Sequence, residues 1–109
     1  VCEDAVHDLF CGPASSPWME HEYRPRDDRF RHVIPTGAST IRVQTVPPEH
    51  GAFWALLRKM EQASGACALI NTSFNGFHEP IVCNPSDAVR VFFGTGLDML
   101  VIGRFVLRK

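Results

Sequence analysis

Hydrophobic and polar positions alternate strictly from Ser39 to Val46, with Ile41 and Val43 on one side and Thr40, Arg42 and Gln44 on the other. That period of two predicts a strand over 39–46 with one buried face and one wet or ligand-facing face. Pro47 and Pro48 stop it. From about Glu49 the period changes, and Phe53, Leu56, Leu57, Met60 and Ala63 describe a helical stripe that ends at Gly65. Residues 66–70 are continuously apolar, the pattern of a strand buried on both faces. Nearer the start, Val6, Leu9 and Phe10 recur at helical spacing behind Glu3 and Asp4, which predicts a helix over 3–10 closed by Gly12 and Pro13. Residues 18–23 alternate as a half-exposed strand does. The run from Glu20 to His32 carries four acids and four arginines around Pro25, a polyampholyte that predicts a solvated loop or hairpin. Farther on, Asn84 offers a cap, Pro85 suits the first turn and Asp87 follows, so a helix is predicted through Phe93 with Val89, Phe92 and Phe93 inward. Gly94 closes it, and residues 98–102 and 104–107 predict two short strands hinged at Gly103.

Strands alternating with helices predict an α/β (α+β) class: a mixed twisted sheet with helices packed on it, in one domain spanning residues 1–109. With 45% hydrophobic and 10% aromatic residues, 109 positions suffice for a core. A net charge of -1 supplies no field to hold nucleic acid or an anionic bilayer, so neither is expected as a partner. No apolar run approaches the roughly 20 residues that span a membrane, and no secretory signal pattern is present, so the expected location is cytoplasmic. Cys2, Cys11, Cys67 and Cys83 are too widely spaced for a structural zinc site or a redox dithiol, and are expected as reduced, mostly buried thiols. The five histidines stand singly, and no metal site is expected.

The strongest local signal for chemistry is the change at residue 71, where the apolar run meets Asn71, Thr72, Ser73, Phe74, Asn75 and Gly76. A buried strand running into amide and hydroxyl residues is how α/β proteins present hydrogen-bonding groups at the carboxyl edge of a sheet. Asn71, Thr72 and Ser73 have the donors for a phosphate or a ribose; alternatively they merely close the strand as side-chain turns. Arg42, on the polar face of an otherwise apolar strand, is suited to a phosphate or a carboxylate. His78 and Glu79 are adjacent in an extended segment and point apart, which disfavours an acid–base pair. Ser73 lacks the flanking glycines of a nucleophile elbow, and neither a phosphate-binding loop nor a dinucleotide fingerprint occurs.

Asn71-Thr72-Ser73-Phe74-Asn75, Glu79-Pro80-Ile81-Val82-Cys83, Pro85-Ser86-Asp87-Ala88 and Thr95-Gly96-Leu97-Asp98-Met99-Leu100-Val101-Ile102-Gly103 follow one another in an order that resembles the C-terminal region of the O-carbamoyltransferases of nodulation-factor and antibiotic biosynthesis. Ser16-Pro17-Trp18-Met19 and Arg42-Val43-Gln44-Thr45 match two further stations of that pattern. The resemblance implies a partial YrdC-like domain that makes carbamoyladenylate from ATP and carbamoyl phosphate, with Mg2+ accompanying the nucleotide. A larger N-terminal domain then passes the carbamoyl group to a hydroxyl acceptor. It further implies that Met19, Arg42, Val43, Asn71, Thr72 and Ser73 line the carbamoyladenylate pocket. In that pocket Arg42 meets phosphate charge and Ser73 orients the phosphoryl or carbamoyl group, the two catalytic assignments.

Two departures accompany the likeness. A Gly-Pro-Arg station and a basic segment ending in Arg-Pro-Phe precede the matching region in the family and do not occur in this sequence, so the chain by itself is expected to be inactive. His78 stands where many members carry Gly or an acid. A non-catalytic module that keeps the fold and binds a nucleotide or a protein is the alternative function. The expected macromolecular partner is the rest of the carbamoyltransferase or a second copy of the chain.

Overall fold

A computed structural model describes all residues from Val1 to Lys109. It divides into two compact units, Val1–Ile70 and Asn71–Lys109.

In the first unit a single 3-10 turn at Glu3–Ala5 leads into helix α1 (Val6–Leu9), and the chain then extends as β1 (Phe10–Cys11). Strands β2 (Glu22–Pro25) and β3 (Ile41–Arg42) complete a three-stranded antiparallel sheet in the order β1-β2-β3, with Phe10 opposite Pro25 and Tyr23 opposite Ile41. The helix predicted over 3–10 therefore stops one residue early. Phe10 is drawn into the sheet, where its ring packs on Phe30 at 4.7 Å and edge-on to Tyr23 at 6.3 Å. Val6, Leu9, Phe10, Tyr23 and Val43 form one core cluster. The polyampholyte run folds into β2 and a 3-10 segment, Asp28–Val33, capped by the Asp27 side chain.

The N-terminal residues are held like a strand: Val46 N–H donates to the Val1 carbonyl at 2.8 Å, and Glu3 N–H donates to the Val46 carbonyl at 3.0 Å. On the other side Cys2 N–H donates to the Cys67 carbonyl at 3.1 Å. Cys2 and Cys67 are both buried and paired as a disulfide, with Cα atoms 5.8 Å apart, inside the range that bridging requires. The expectation of four reduced, mostly buried thiols is thus corrected: two are joined, and the free pair, Cys11 and Cys83, is exposed. Spacing in the sequence could not show this, because the pairing follows from backbone contact across 65 residues.

Helix α2 (Ala52–Ser64) ends as predicted at Gly65, which adopts the left-handed conformation (φ 75°) and returns its N–H to the Glu61 carbonyl at 2.8 Å. Its buried face is narrower than the predicted stripe. Leu57 is buried and Trp54 packs beside it, whereas Phe53 and Leu56 stay nearly half exposed. Arg58 explains part of the rotation, since it lies over the Trp54 ring at 5.1 Å and pairs with both Glu61 and Asp4. Residues 66–70 form no ladder, and Ile70 is 73% exposed, against the expectation of a strand buried on both faces. Continuous apolarity specifies a wish for burial and names no partner edge; only the Cys67 carbonyl finds one.

In the second unit helix α3 (Pro85–Gly94) begins where predicted. Asn84 caps it, its Oδ1 accepting from Asp87 N–H at 2.9 Å, a contact of about 1 kcal/mol. Ala88, Val91 and Phe92 are buried, but Phe93, expected inward, is 61% exposed. Strands β4 (Met99–Ile102) and β5 (Phe105–Arg108) form an antiparallel hairpin with Leu100 opposite Leu107. Its two-residue turn opens on Gly103 at φ 57°, the position that a type II′ turn gives to glycine. Ala88, Phe92 and Leu100 make the core, with Phe74, Val82 and Leu107 against it. The observed class is the expected one, helices with small sheets; every ladder is antiparallel and a single bridge, Cys2 with Val46, is parallel.

Candidate functional site

The period-two strand reading of residues 39–46 holds in its alternation even though ladder bonds cover only Ile41–Arg42. Val43 and Thr45 are buried and Arg42 is exposed. Val43 therefore gives its side chain to the core cluster, and only its backbone is left to a ligand. Arg42 on β3 is the register partner of Glu22 on β2, whose carboxylate is occupied by the Thr40 hydroxyl, and it enters none of the ion pairs of its unit.

Of the strand expected over 18–23, residues 18–20 belong instead to a turn that starts at Ser16, and the ladder begins at Glu22. Met19 N–H reaches the Ser16 carbonyl at 3.3 Å, and Met19 takes φ 59°, in the left-handed region that a non-glycine residue enters only at a cost. Glu20 closes the turn: its Oε2 accepts from Trp18 N–H at 3.0 Å and from the Ser16 hydroxyl at 3.2 Å. Its own backbone N–H, the largest influence, outweighs desolvation and together with those two donors holds the carboxyl below its ordinary value.

This turn is fastened to the segment that follows β3 by reciprocal bonds. Ser16 N–H donates to Thr45 Oγ1 at 2.9 Å, Thr45 N–H donates to the Ser16 carbonyl at 3.0 Å, and Gln44 Nε2 donates to the Pro17 carbonyl at 2.9 Å. The two stations Ser16–Met19 and Arg42–Thr45, remote in sequence, are thereby one structural element. Tyr23 lies under it, wholly buried, and burial pushes its phenol up.

Asn71, Thr72 and Ser73 open the second unit, all three exposed. The turn that follows is closed by Asn75, to which the sequence pattern assigned no role of its own. Asn75 Nδ2 donates to the carbonyls of Gly76 and Glu79 at 2.9 and 3.2 Å, while the Glu79 carboxylate takes both of its oxygens to Arg90 at 2.8 and 3.0 Å. The Thr72 and Ser73 hydroxyls take no part in closing it. A depression of about 340 Å³ between the start of α3 and the hairpin, lined by Phe74, Val82, Ala88 and Leu100, contains none of the six expected site residues. Of those six, Met19, Arg42 and Val43 lie in the first unit, on the two segments that the Ser16–Thr45 and Pro17–Gln44 bonds join, and the other three are consecutive in the second. Ser16, Thr45, Glu20 and Asn75 were missed. For Thr45 a signal existed, since the alternation points its hydroxyl inward, where it needs a partner.

The family model described as carbamoyltransferase C-terminus matches residues 1–109. Nodulation protein NolO of Bradyrhizobium diazoefficiens is 42% identical over 90% of the chain, and nodulation protein NolNO of Sinorhizobium fredii is 41% identical over 64%. An uncharacterized protein of Synechocystis, sll1178, is 47% identical over 65% of the chain. The chain spans 18%, 10% and 12% of the length of these three relatives, respectively.

Proposed function

Because the chain belongs to the carbamoyltransferase C-terminus family, we propose that it contributes the adenylate-binding part of an O-carbamoyltransferase. The ligand is carbamoyladenylate formed from ATP and carbamoyl phosphate, whose carbamoyl group then goes to a hydroxyl acceptor. The observation that carries this reading is the welded pair of stations, with a strained backbone at Met19 and an uncommitted guanidinium at Arg42 on the outer face of the same element. Strain of that kind persists where the surroundings enforce it, and it gathers at ligand sites. Arg42 is suited to the adenylate phosphate through charge-assisted hydrogen bonds. The Val43 backbone lies next to it in the chain; within the second unit, exposed Asn71, Thr72 and Ser73 have the amide and hydroxyl groups that such a ligand calls for, Ser73 being the one suited to orient the transferred group. No helix is long and apolar enough to cross a membrane.

The test is titration of the protein that carries this chain with ATP, alone and with carbamoyl phosphate, with pyrophosphate release followed in parallel. Arg42→Ala is expected to weaken nucleotide binding by about 1.5–3 kcal/mol, the range for a hydrogen bond to a charged group. Binding at full strength in that variant removes Arg42 from the site. Absence of nucleotide binding in the unaltered protein overturns the reading, and binding without pyrophosphate release in any combination of substrates favours the non-catalytic module.

A further inference from the structure

Thr45 and Ser16 are the two polar residues buried to 2% exposure or less, and they are bonded to each other. Thr45 lies on the core side of the strand, so its hydroxyl cannot touch a ligand on the Arg42 side. Its oxygen accepts the Ser16 N–H, and its proton is directed away, to Glu3 Oε2 at 3.0 Å, which the Ser15 hydroxyl also reaches at 2.7 Å. The Ser16 carbonyl, held by Thr45 N–H, is the same oxygen that receives the Met19 N–H and so ends the strained turn. One buried hydroxyl thus fixes the height of the turn above the strand, and Glu3 fixes the rotation of that hydroxyl.

We infer that Thr45 is a positioning residue that sets the backbone of Met19 against Arg42 and Val43, oriented in turn by Glu3. The inference rests on the adenylate reading given above for the consequence in binding, while its structural content stands separately. A valine at position 45 keeps the volume and leaves Ser16 N–H and the Glu3 carboxylate without their buried partner. A serine keeps the hydroxyl and loses a methyl group.

The experiment compares Thr45→Val, Thr45→Ser, Glu3→Ala and Arg42→Ala in the protein that carries this chain, reading ATP affinity and the backbone amide resonances of Ser16 and Met19. Thr45→Val is expected to lose about tenfold in ATP affinity, the size of one net hydrogen bond, and to shift both resonances. Thr45→Ser restores both. Glu3→Ala, at a partly buried side chain outside the core clusters, shifts the Ser16 and Met19 resonances in the same direction even should Thr45→Val fail to fold. Unchanged resonances in Glu3→Ala, or a folded Thr45→Val with unaltered affinity while Arg42→Ala is impaired, overturn the positioning role and leave the adenylate reading standing. Unaltered affinity in both Thr45→Val and Arg42→Ala overturns the positioning role and removes Arg42 from the site, whereas absence of ATP binding in the unaltered protein overturns the adenylate reading.

Discussion

A single methyl group at position 12 tests whether the β1–β2 packing that supports the site is as tight as the structure shows. A Cβ at Gly12 would lie 2.2 Å from Tyr23 Cδ1, 2.6 Å from Cε1 and 2.8 Å from Cγ. Tyr23 is wholly buried among Val6, Leu9, Phe10 and Val43 and cannot retreat without opening that cluster. The backbone at Gly12 is not left-handed, so alanine meets no conformational objection there. With room, Gly12→Ala would stabilise by about 0.4–1 kcal/mol through the unfolded chain. Overpacking costs about 1–3 kcal/mol, and three ring atoms inside 3 Å place this case at the upper end, for a net loss of about 2 kcal/mol. Urea unfolding followed by circular dichroism should show the midpoint falling by about 1–2 M at an unchanged slope of about 1–2 kcal/mol/M. Because Tyr23 pairs with Ile41, the displacement reaches β3, and ATP affinity should fall with stability. In a Tyr23→Leu background most of the penalty should vanish, since the clashing ring is gone. A Gly12→Ala protein as stable as the parent refutes the packing, whatever its activity.

Two further outcomes follow from local geometry. His78 adopts φ 58° beside an almost fully exposed Phe77; His78→Gly relieves about 1 kcal/mol of left-handed cost while adding chain entropy, so thermal melting should show stability equal to or slightly above the parent. His78→Val should lose about 1–2 kcal/mol, because a β-branched residue tolerates that region worst, and equal melting of the two variants refutes the strain. Glu20 has its carboxyl held below the ordinary value of 4.5, so its contribution is complete above that pH and is lost as acidity passes through the lower folded value. Nucleotide affinity measured down a pH series should therefore decline on the acid side, and Glu20→Gln should flatten that limb; an identical acid limb in the variant removes Glu20 from the turn.

Local signals were readable where one short stretch contains both the cause and its effect. Asn84 with Pro85 and Asp87 states a helix start, and the structure uses the same atoms. Gly65 and Gly103 mark a helix end and a hairpin turn by the one property that sequence displays directly, tolerance of positive φ. Gly12 looked like the same kind of mark, a helix terminator, yet α1 ends before it. Its reason is the Tyr23 ring, 11 positions away in the chain and unrelated to any local pattern. The stripe on α2 failed for a similar cause: periodicity gives a face about 100° wide, and the choice of Trp54 and Leu57 over Phe53 and Leu56 is made by what packs there.

The candidate site shows the same division at finer scale. Alternation over 39–46 correctly sends Arg42 outward and Val43 inward, and carried two residues further it sends Thr45 inward too, as a hydroxyl in the core. Elementary desolvation then demands a partner for Thr45, but nothing near it says that the partner is Ser16, 29 residues earlier. Such a long-range polar pair is costly to leave half made, and because Ser16 enters it through its backbone N–H, the cost falls on losing the Thr45 hydroxyl. This links the two short stations physically: Ser16-Pro17-Trp18-Met19 is weak as a pattern, and so is Arg42-Val43-Gln44-Thr45, but each supplies the hydrogen-bonding groups the other lacks. A ligand site built on that joint inherits its rigidity, because a change of φ at Met19 would swing Glu20 away from the Trp18 N–H and the Ser16 hydroxyl that its carboxylate accepts from.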